Sequence, residues 1–259
     1  MKALDECVVN AMDGSDKELF HFLPFILQDL WDFGAEPDTI IRLVSHHFKK
    51  YGDLNVLDLG CCKGAVSVRL SHKLGCTCHG IDAIPEFIAF AQQKALEYKV
   101  NHLCTFETGD IREKVKDLTG YDIVILGAIG PVFGDYYTTL STLSHCITDN
   151  GIFIIDDAYI DDESEYSSPL IFMKSAVMNQ IKGAGMELII NEISNKGDIK
   201  DSNDFIFDKI KKRCFELTQK YPDKQNLFLD YIKKQDIEND VLQNKVIGGT
   251  MVIRKTPAG

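Results

Sequence analysis

Short apolar runs alternate with amphipathic stretches along most of this chain. Seven runs rich in aliphatic and β-branched residues predict strands, because the strands of a parallel sheet are buried on both faces. They lie at residues 55–59, 76–82, 103–107, 121–127, 151–157, 186–193 and 248–255. Apolar residues at helical spacing predict helices that begin near residue 64 and that span residues 37–50, 85–98 and 168–183. This alternation predicts an α/β fold on a mainly parallel sheet.

Two further stretches have helical patterns but lie outside this alternation. The capping box Ser15-x-x-Glu18 precedes an apolar series that predicts a helix kinked near Pro24. About fifty residues separate the last two predicted strands, and they predict two helices, at about 204–220 and 223–235. The chain then divides into an N-terminal helical segment, a core domain and a helical insertion: residues 1–36, residues 37–193 with 246–259, and residues 194–245.

Composition narrows the classes of function. The net charge of −11 argues against nucleic acid as the main partner, because phosphate binding needs a basic face. The eight cysteines include no C-x-x-C pair and no Cys/His cluster at zinc spacing, so we expect reduced thiols and no metal site. No apolar run approaches the ~20 residues that span a membrane, and the N-terminus lacks the apolar core of a signal peptide. We therefore expect a cytoplasmic protein without membrane contact.

The stretch from Asn55 to Gly64, N-V-L-D-L-G-C-C-K-G, predicts a buried strand, a tight turn and the start of a helix. A turn of this kind at the carboxyl edge of a sheet is a common ligand site. The dinucleotide fingerprint G-x-G-x-x-G is not met, because Cys62 and Ala65 stand where it needs glycine. Asp58 lies inside the strand. A carboxylate at that place would repel a pyrophosphate but suits a cationic ligand.

At these residues the chain resembles the class I S-adenosylmethionine-dependent methyltransferases, whose first motif is a strand that ends D-x-G-x-G-x-G. Asp58, Gly60 and Gly64 match this motif, and Cys62 departs from it where the family usually has glycine. The resemblance implies a doubly wound, seven-stranded sheet in the order 3-2-1-4-5-7-6, with the last strand antiparallel. It also implies S-adenosylmethionine as the cofactor of a Rossmann-like core domain.

The resemblance implies a role for several residues after the turn. Asp82 follows Gly60 by 22 positions, as an acid that holds both ribose hydroxyls would; capping of the next helix is the alternative. Asp110 would face the adenine amino group, and Ile111 would pack on the ring. The complete predicted set of cofactor-binding residues is Asp58, Gly60, Cys61, Gly64, Asp82, Ala83, Asp110, Ile111, Gly127 and Ala128.

Methyl transfer from a sulfonium needs mainly an in-line nucleophile and the exclusion of water. The sequence therefore predicts transfer to a small-molecule acceptor by positioning, without a metal. A base is needed only if the nucleophile arrives protonated. The candidate catalytic residues are Asp156, Asp157 and His145, with Tyr159 beside them; either aspartate could equally be a helix cap or a solvated loop residue.

Several alternatives stay open at this stage. The chain could be a non-catalytic cofactor-binding or sensor protein of the same fold, or a methyltransferase of protein or RNA. Six acidic residues crowd into residues 156–165 and would attract an amine acceptor, although a solvated acidic loop explains them as well. Topology places the insertion at the carboxyl edge, where we expect it to join residues 15–34 in a cap over the acceptor. The alternative is a dimerisation arm, which leaves a homodimer open.

Overall fold

The computed structural model of the protein describes residues 2–257, and a single seven-stranded sheet organises them. The strands are β1 Asn55–Leu59, β2 Thr77–Asp82, β3 Cys104–Thr108, β4 Tyr121–Gly127, β5 Ile147–Tyr159, β6 Met186–Ile193 and β7 Ile247–Lys255. Their order is β3-β2-β1-β4-β5-β7-β6, and β7 runs antiparallel to both of its neighbours. The predicted fold is confirmed. Met1, Ala258 and Gly259, which belong to the predicted segments 1–36 and 246–259, lie outside the described residues.

Helices cover both faces of the sheet, and a further group packs beyond its carboxyl edge. The helices are α1 Leu4–Ala11, α2 Leu23–Ile26, α3 Pro37–His47, α4 Ala65–Leu74, α5 Pro85–Glu97, α6 Ile111–Lys114, α7 Tyr136–Leu143, α8 Lys174–Gly183, α9 Lys196–Lys220 and α10 Gln225–Asn244. Helices α3, α4 and α5 pack on what we call the front face. Helices α6, α7 and α8 pack on the back face. None of the helices in residues 2–257 is long and apolar enough to cross a membrane.

The N-terminal residues and the insertion share one apolar cluster. It joins side chains of residues 9–30 to side chains of α9 and α10, and Ile84 and Phe87 at the start of α5 complete it. We call residues 4–26 together with α9 and α10 the cap, and residues 27–36, which connect the cap to α3, the strap. The cap therefore rests on α5, directly after the carboxyl end of β2.

The N-terminal segment differs from its prediction. Instead of one kinked helix, the chain forms α1, a 3₁₀ helix at Lys17–Phe22 and the single turn α2. Pro24 lies in the first turn of α2, because a proline has no N–H to donate there and suits a helix start. The capping side chain is Asp16 rather than Ser15, and its Oδ1 accepts from the Glu18 N–H at 2.9 Å.

The ends of several other helices and strands also differ from their predictions. Helix α9 begins at Lys196, where the Asn195 side chain accepts from two amides of the first turn, and α10 continues to Asn244. Both helices exceed their predictions: the first two turns of α9 are mainly polar, and the last turns of α10 place Val241 and Leu242 against Ala158, Ile160 and Val246. Strand β5 begins at Ile147 and α8 only at Lys174, and the short helices α6 and α7 carry too few apolar repeats to be predicted.

Candidate cofactor and acceptor site

The turn after β1 is held against β2 by backbone hydrogen bonds. The N–H groups of Gly60 and Cys61 donate to the Ile81 carbonyl oxygen at 2.9 and 3.0 Å. Gly60 and Gly64 have φ angles of 71° and 70°, which favour glycine. A Cβ on Gly60 would lie 2.6 Å from Cγ2 of Ile129, which packs over the turn from the exit of β4. The turn therefore admits only glycine at position 60.

Cys62 occupies the position where the family motif has glycine, and its conformation explains that preference. Its φ angle is 48°, in the left-handed region, and its N–H donates to Asp82 Oδ2 at 2.9 Å. A left-handed conformation costs an ordinary residue about 1–2 kcal/mol. Cys62 thus differs from the motif in its side chain but has a backbone conformation that favours glycine.

We expect Cys62→Gly to retain the turn and Cys62→Val to destroy it. Glycine adopts a positive φ freely, whereas a β-branched side chain is a strong outlier there. Thermal unfolding with and without S-adenosylhomocysteine measures both effects. The glycine variant should keep its stabilisation by the ligand and the valine variant should lose it. Equal ligand stabilisation of the two variants would show that φ at Cys62 does not matter.

Asp82 links the turn to the start of α5. Its Oδ2 accepts from Cys62, and its Oδ1 accepts from the Ile84 N–H at 2.9 Å. The Ile84 bond fixes the chain just before α5, whose N-cap residue makes no side-chain capping bond. A carboxylate offers about four lone-pair sites, so two acceptor sites remain. Two are what a pair of ribose hydroxyls would need, and this structural role and the binding role are therefore compatible.

Asp58 and Asp82 form a buried negative pair. Their exposed fractions are 3% and 6%, and the Ser67 hydroxyl donates to Asp58 Oδ2 at 2.6 Å. Burial raises the pKa of each carboxyl to about 6, and the charge of Asp82 adds to the rise at Asp58. Within residues 2–257 neither carboxylate has an ion-pair partner. Two buried acids without a cationic partner fit a cationic cofactor.

A cleft lies between the turn, the exit of β4 and the strap. It holds about 20 Å³, room for little more than one water molecule, so its walls must move apart to admit a cofactor. Ala35 contacts Gly127 closely enough that a Cβ on Gly127 would lie 2.7 Å from that of Ala35. Ala128 has a φ angle of 55° and donates its N–H to the Asp156 carbonyl at 2.9 Å. The residues that line the cleft include Trp31, Phe33, Asp58, Gly60, Cys61, Cys62 and Gly127.

Asp110 and Ile111 lie next to Asp82 but have other contacts. The Gly109 N–H donates to the Asp82 carbonyl at 2.9 Å, which brings the exit of β3 to the site. Asp110 pairs with the Arg112 guanidinium at 2.7 Å, and these hydrogen bonds lower the pKa of Asp110. Ile111 is buried in the back-face cluster. The proximity fits an adenine site, although the Asp110 carboxylate already has a partner.

Asp156 and Asp157 project to opposite faces of the sheet. Asp156 aligns with Gly127, on the front face that also carries Asp58. Its Oδ2 accepts from Thr250 Oγ1 at 2.8 Å, and burial raises the pKa of Asp156 to about 6. Asp157 turns to the back face and accepts from the Tyr136 hydroxyl at 2.8 Å. Asp156 is therefore the acid that shares a face with the cofactor turn.

The structure removes His145 from the candidate bases. His145 precedes β5, and its Nε2 lies 2.9 Å from the Val115 carbonyl oxygen. That position is at the amino edge of the sheet, whereas the glycine turn is at the carboxyl edge. The sequence already indicated this, because His145 precedes the predicted strand 151–157 as well as the observed β5. Tyr159 is buried on the back face, where the Asn191 amide donates to its hydroxyl at 3.0 Å.

Lys63 is a residue of the site that the sequence did not reveal. It lies inside the turn and is only 3% exposed, yet its ammonium points to the strap rather than to a carboxylate. It donates to the carbonyl oxygens of Leu27 and Leu30, each at 2.5 Å. Burial lowers the pKa of Lys63 to about 8. A lysine between two glycines was the available signal, but its partner is 36 residues away in the chain.

A family model covers the glycine turn and most of the sheet. The model of the methyltransferase domain matches residues 50–227, more than half of the chain. The chain belongs to the methyltransferase domain family. It is thus an S-adenosylmethionine-dependent methyltransferase of class I, as the turn and the strand order predict. No curated protein matches the sequence significantly.

Solved structures share the fold of this methyltransferase at low identity. An S-adenosylmethionine-dependent methyltransferase from Geobacter sulfurreducens, in complex with S-adenosyl-L-homocysteine, is 15% identical, with a TM-score of 0.73 over 91% of this chain and 98% of that one. The corresponding complex from Thiobacillus denitrificans has 13% identity and a TM-score of 0.74 over the same shares. Coclaurine N-methyltransferase, bound to N-methylheliamine and S-adenosylhomocysteine, is 12% identical, with a TM-score of 0.63 over 85% and 70%.

Proposed function

We propose that this methyltransferase acts on a small-molecule amine that binds beside Asp156. The observation that carries the proposal is the charge of the site. Asp58, Asp82 and Asp156 share the front face at the carboxyl edge, and no cationic side chain within residues 2–257 pairs with any of them. A sulfonium donor and an ammonium acceptor are both cations, which such an edge attracts.

Each part of the cofactor has residues that suit it. Asp82 would hold the ribose hydroxyls with its two remaining acceptor sites, and Asp58 would balance the cationic end. Gly60 and Gly64 leave room for close approach of the ligand. Cys61, Ala83, Asp110, Ile111, Gly127 and Ala128 complete the proposed lining. When bound, the cofactor supplies a methyl group that is already electrophilic.

The acceptor needs a place and a route for its proton. Asp156 Oδ1, the oxygen that Thr250 does not bond, would accept the proton of an ammonium group. The strap crosses the exit of β4 and would exclude water from the cleft. Positioning of this kind contributes about 7–11 kcal/mol to a rate. The proposed reaction needs no metal.

The four acidic residues after Asp157 give less support for an amine. Asp161 caps a local turn through the Glu163 N–H at 3.0 Å, and Asp162 accepts from the Ser175 N–H at 3.0 Å near the start of α8. These contacts agree with a solvated acidic loop. The proposal therefore rests on Asp156 and not on the loop.

We expect Asp156→Asn to lower kcat about 10²–10⁴-fold, the usual contribution of a general base. The acceptor would first be found by screening primary, secondary and tertiary amines for release of S-adenosylhomocysteine, beside matched alcohols and carboxylates. In the wild type the rate should rise with pH through about 6, because Asp156 must lose its proton to act. This rise should vanish in the Asn variant.

Thr250→Val is the control for this assignment. The Thr250 hydroxyl stabilises the ionised form of Asp156 and so lowers its pKa. In Thr250→Val, the rise of the rate should therefore occur at higher pH, while the rate on the plateau should stay close to that of the wild type. Acceptors that are all anionic or neutral would contradict the amine proposal. An unchanged pH profile in both variants would remove Asp156 as the base.

A further inference from the structure

The Lys63 ammonium joins the cofactor turn to the strap. Its two hydrogen bonds go to the carbonyl oxygens of Leu27 and Leu30, and the Leu27 oxygen also accepts from the Leu30 N–H at 3.1 Å. The ring of Phe90 lies 4.9 Å and that of Phe87 lies 5.5 Å from the Lys63 nitrogen. The ammonium is thus enclosed by two strap carbonyl oxygens and two aromatic rings of α5, and both of its hydrogen bonds depend on the position of the strap.

Three further contacts hold the strap at the same place. The Trp31 indole N–H donates to the Lys63 carbonyl oxygen at 3.1 Å, so the strap and Lys63 bond each other in both directions. Asp32 pairs with Arg69 of α4 at 2.7 Å. Asp29 pairs with Arg213 of α9 at 2.7 Å, which ties the strap to the cap. The strap is therefore a junction between the cap and the cofactor turn.

We propose that Lys63 is a positioning residue, which holds the strap closed over the cofactor and sets the rate at which the cofactor leaves. This proposal rests on the proposed cofactor site. The strap lines the cleft through Trp31, Phe33 and Ala35. Movement of residues 27–30 away from the turn would break the two Lys63 hydrogen bonds. Lys63 acts through the strap and does not touch the reacting atoms.

The test compares Lys63→Met with Lys63→Arg. Methionine keeps an unbranched apolar chain between the two rings but donates no hydrogen bond, whereas arginine keeps the donors. Stopped-flow measurement gives the dissociation rate of S-adenosylhomocysteine. Trp31 is the single tryptophan of the chain, so its emission reports on the strap directly. We expect S-adenosylhomocysteine to dissociate about ten-fold faster or more from Lys63→Met, because a charged hydrogen bond is lost. The Trp31 emission of this variant should shift to the red. In Lys63→Arg, the dissociation rate and the emission should both return most of the way to the wild-type values.

Lys94→Met is the matched control. Lys94 also lies over Trp31, at 5.0 Å, and over Phe90, at 5.5 Å, but it pairs with Glu97 and donates to no residue of the strap. It should leave the dissociation rate within about two-fold. The proposal is overturned if Lys63→Met folds and shows the wild-type dissociation rate and Trp31 emission. It is also overturned if Lys94→Met raises the dissociation rate as much as Lys63→Met does.

Two measurements on the wild type complete the test. Calorimetry with S-adenosylhomocysteine separates the two proposals, because absence of binding would contradict the cofactor site itself. Hydrogen exchange stays informative if Lys63→Met does not fold. Amides of residues 27–36 should become protected together with those of residues 60–64 when S-adenosylhomocysteine is added. If the protein binds S-adenosylhomocysteine but the exchange rates of the strap amides do not change, the proposed role of Lys63 is wrong.

Discussion

Asp82→Ala is expected to weaken the binding of S-adenosylhomocysteine by about two decades or more. Hydrogen bonds to a charged group contribute ~1.5–3 kcal/mol each, and two of them to the ribose would be lost. The loss should exceed their sum, because the Cys62 and Ile84 amides also lose their acceptor and the turn loosens. Calorimetry on the folded variant gives the change in Kd.

Two other variants make this result specific. Asp82→Asn keeps one acceptor oxygen and should fall between the wild type and Asp82→Ala. Asp110→Ala should cost less than Asp82→Ala, because the Asp110 carboxylate is already paired with Arg112. An unchanged Kd in folded Asp82→Ala would remove Asp82 from the cofactor site. An equal loss in Asp110→Ala would show that Asp110 leaves Arg112 to bind the ligand.

The strands of the sheet were predictable because each one is marked by residues that are close together in the sequence. Each strand is a short apolar run, and Gly60 and Gly64 mark a turn whose positive φ angles demand glycine. The strand order then follows from the resemblance that Asp58 and these glycines carry. The position of Asp82 was predictable for the same reason, since it ends the next strand along the chain. Helix ends were less certain, because the first two turns of α9 are mainly polar.

The side-chain directions at the site were not predictable. Asp156 and Asp157 are adjacent in sequence, yet strand alternation sends them to opposite faces, and only the register with Gly127 shows which one joins the front face. The position of His145, by contrast, followed from its place before β5, at the amino edge of the sheet. The partners of Lys63 come from a segment 33 and 36 residues earlier, and no local pattern reports such a contact.

The cap lies beside the cofactor turn. Topology placed the insertion at the carboxyl edge beside the cofactor, and the expectation was a cap that closes over the acceptor. In the structure its apolar cluster continues onto Ile84 and Phe87, beside Asp82, and includes Cys62 at its border. The strap reaches Gly127 and Ala128 through Gly34 and Ala35. A cap in this position covers the cofactor side of the cleft, and we infer that it must move when the cofactor is exchanged.

Replacement of residues 196–244 by a short turn is expected to abolish methyl transfer and to weaken the binding of S-adenosylhomocysteine more than ten-fold. The turn can close, because the Ser194 N–H already donates to the Gly248 carbonyl at 3.0 Å and continues the β6–β7 ladder. The deletion removes Phe228, which is fully buried in the same apolar cluster as Ile84 and Phe87, and so exposes part of that cluster. A cap that served the acceptor alone would leave the Kd within a few-fold. Calorimetry and turnover separate these outcomes once circular dichroism shows a folded sheet.

A double variant on the outer side of the cap distinguishes closure from dimerisation. Phe205 and Ile237 are 56% and 54% exposed, so Phe205→Ser with Ile237→Ser alters the outer surface without removing a buried side chain. If α9 and α10 act as a cap, this variant should keep wild-type turnover and Kd. If they form a dimerisation arm, turnover should fall together with a shift to monomer in sedimentation. Wild-type turnover in the deletion itself, with the sheet intact, would show that the insertion does not close the site.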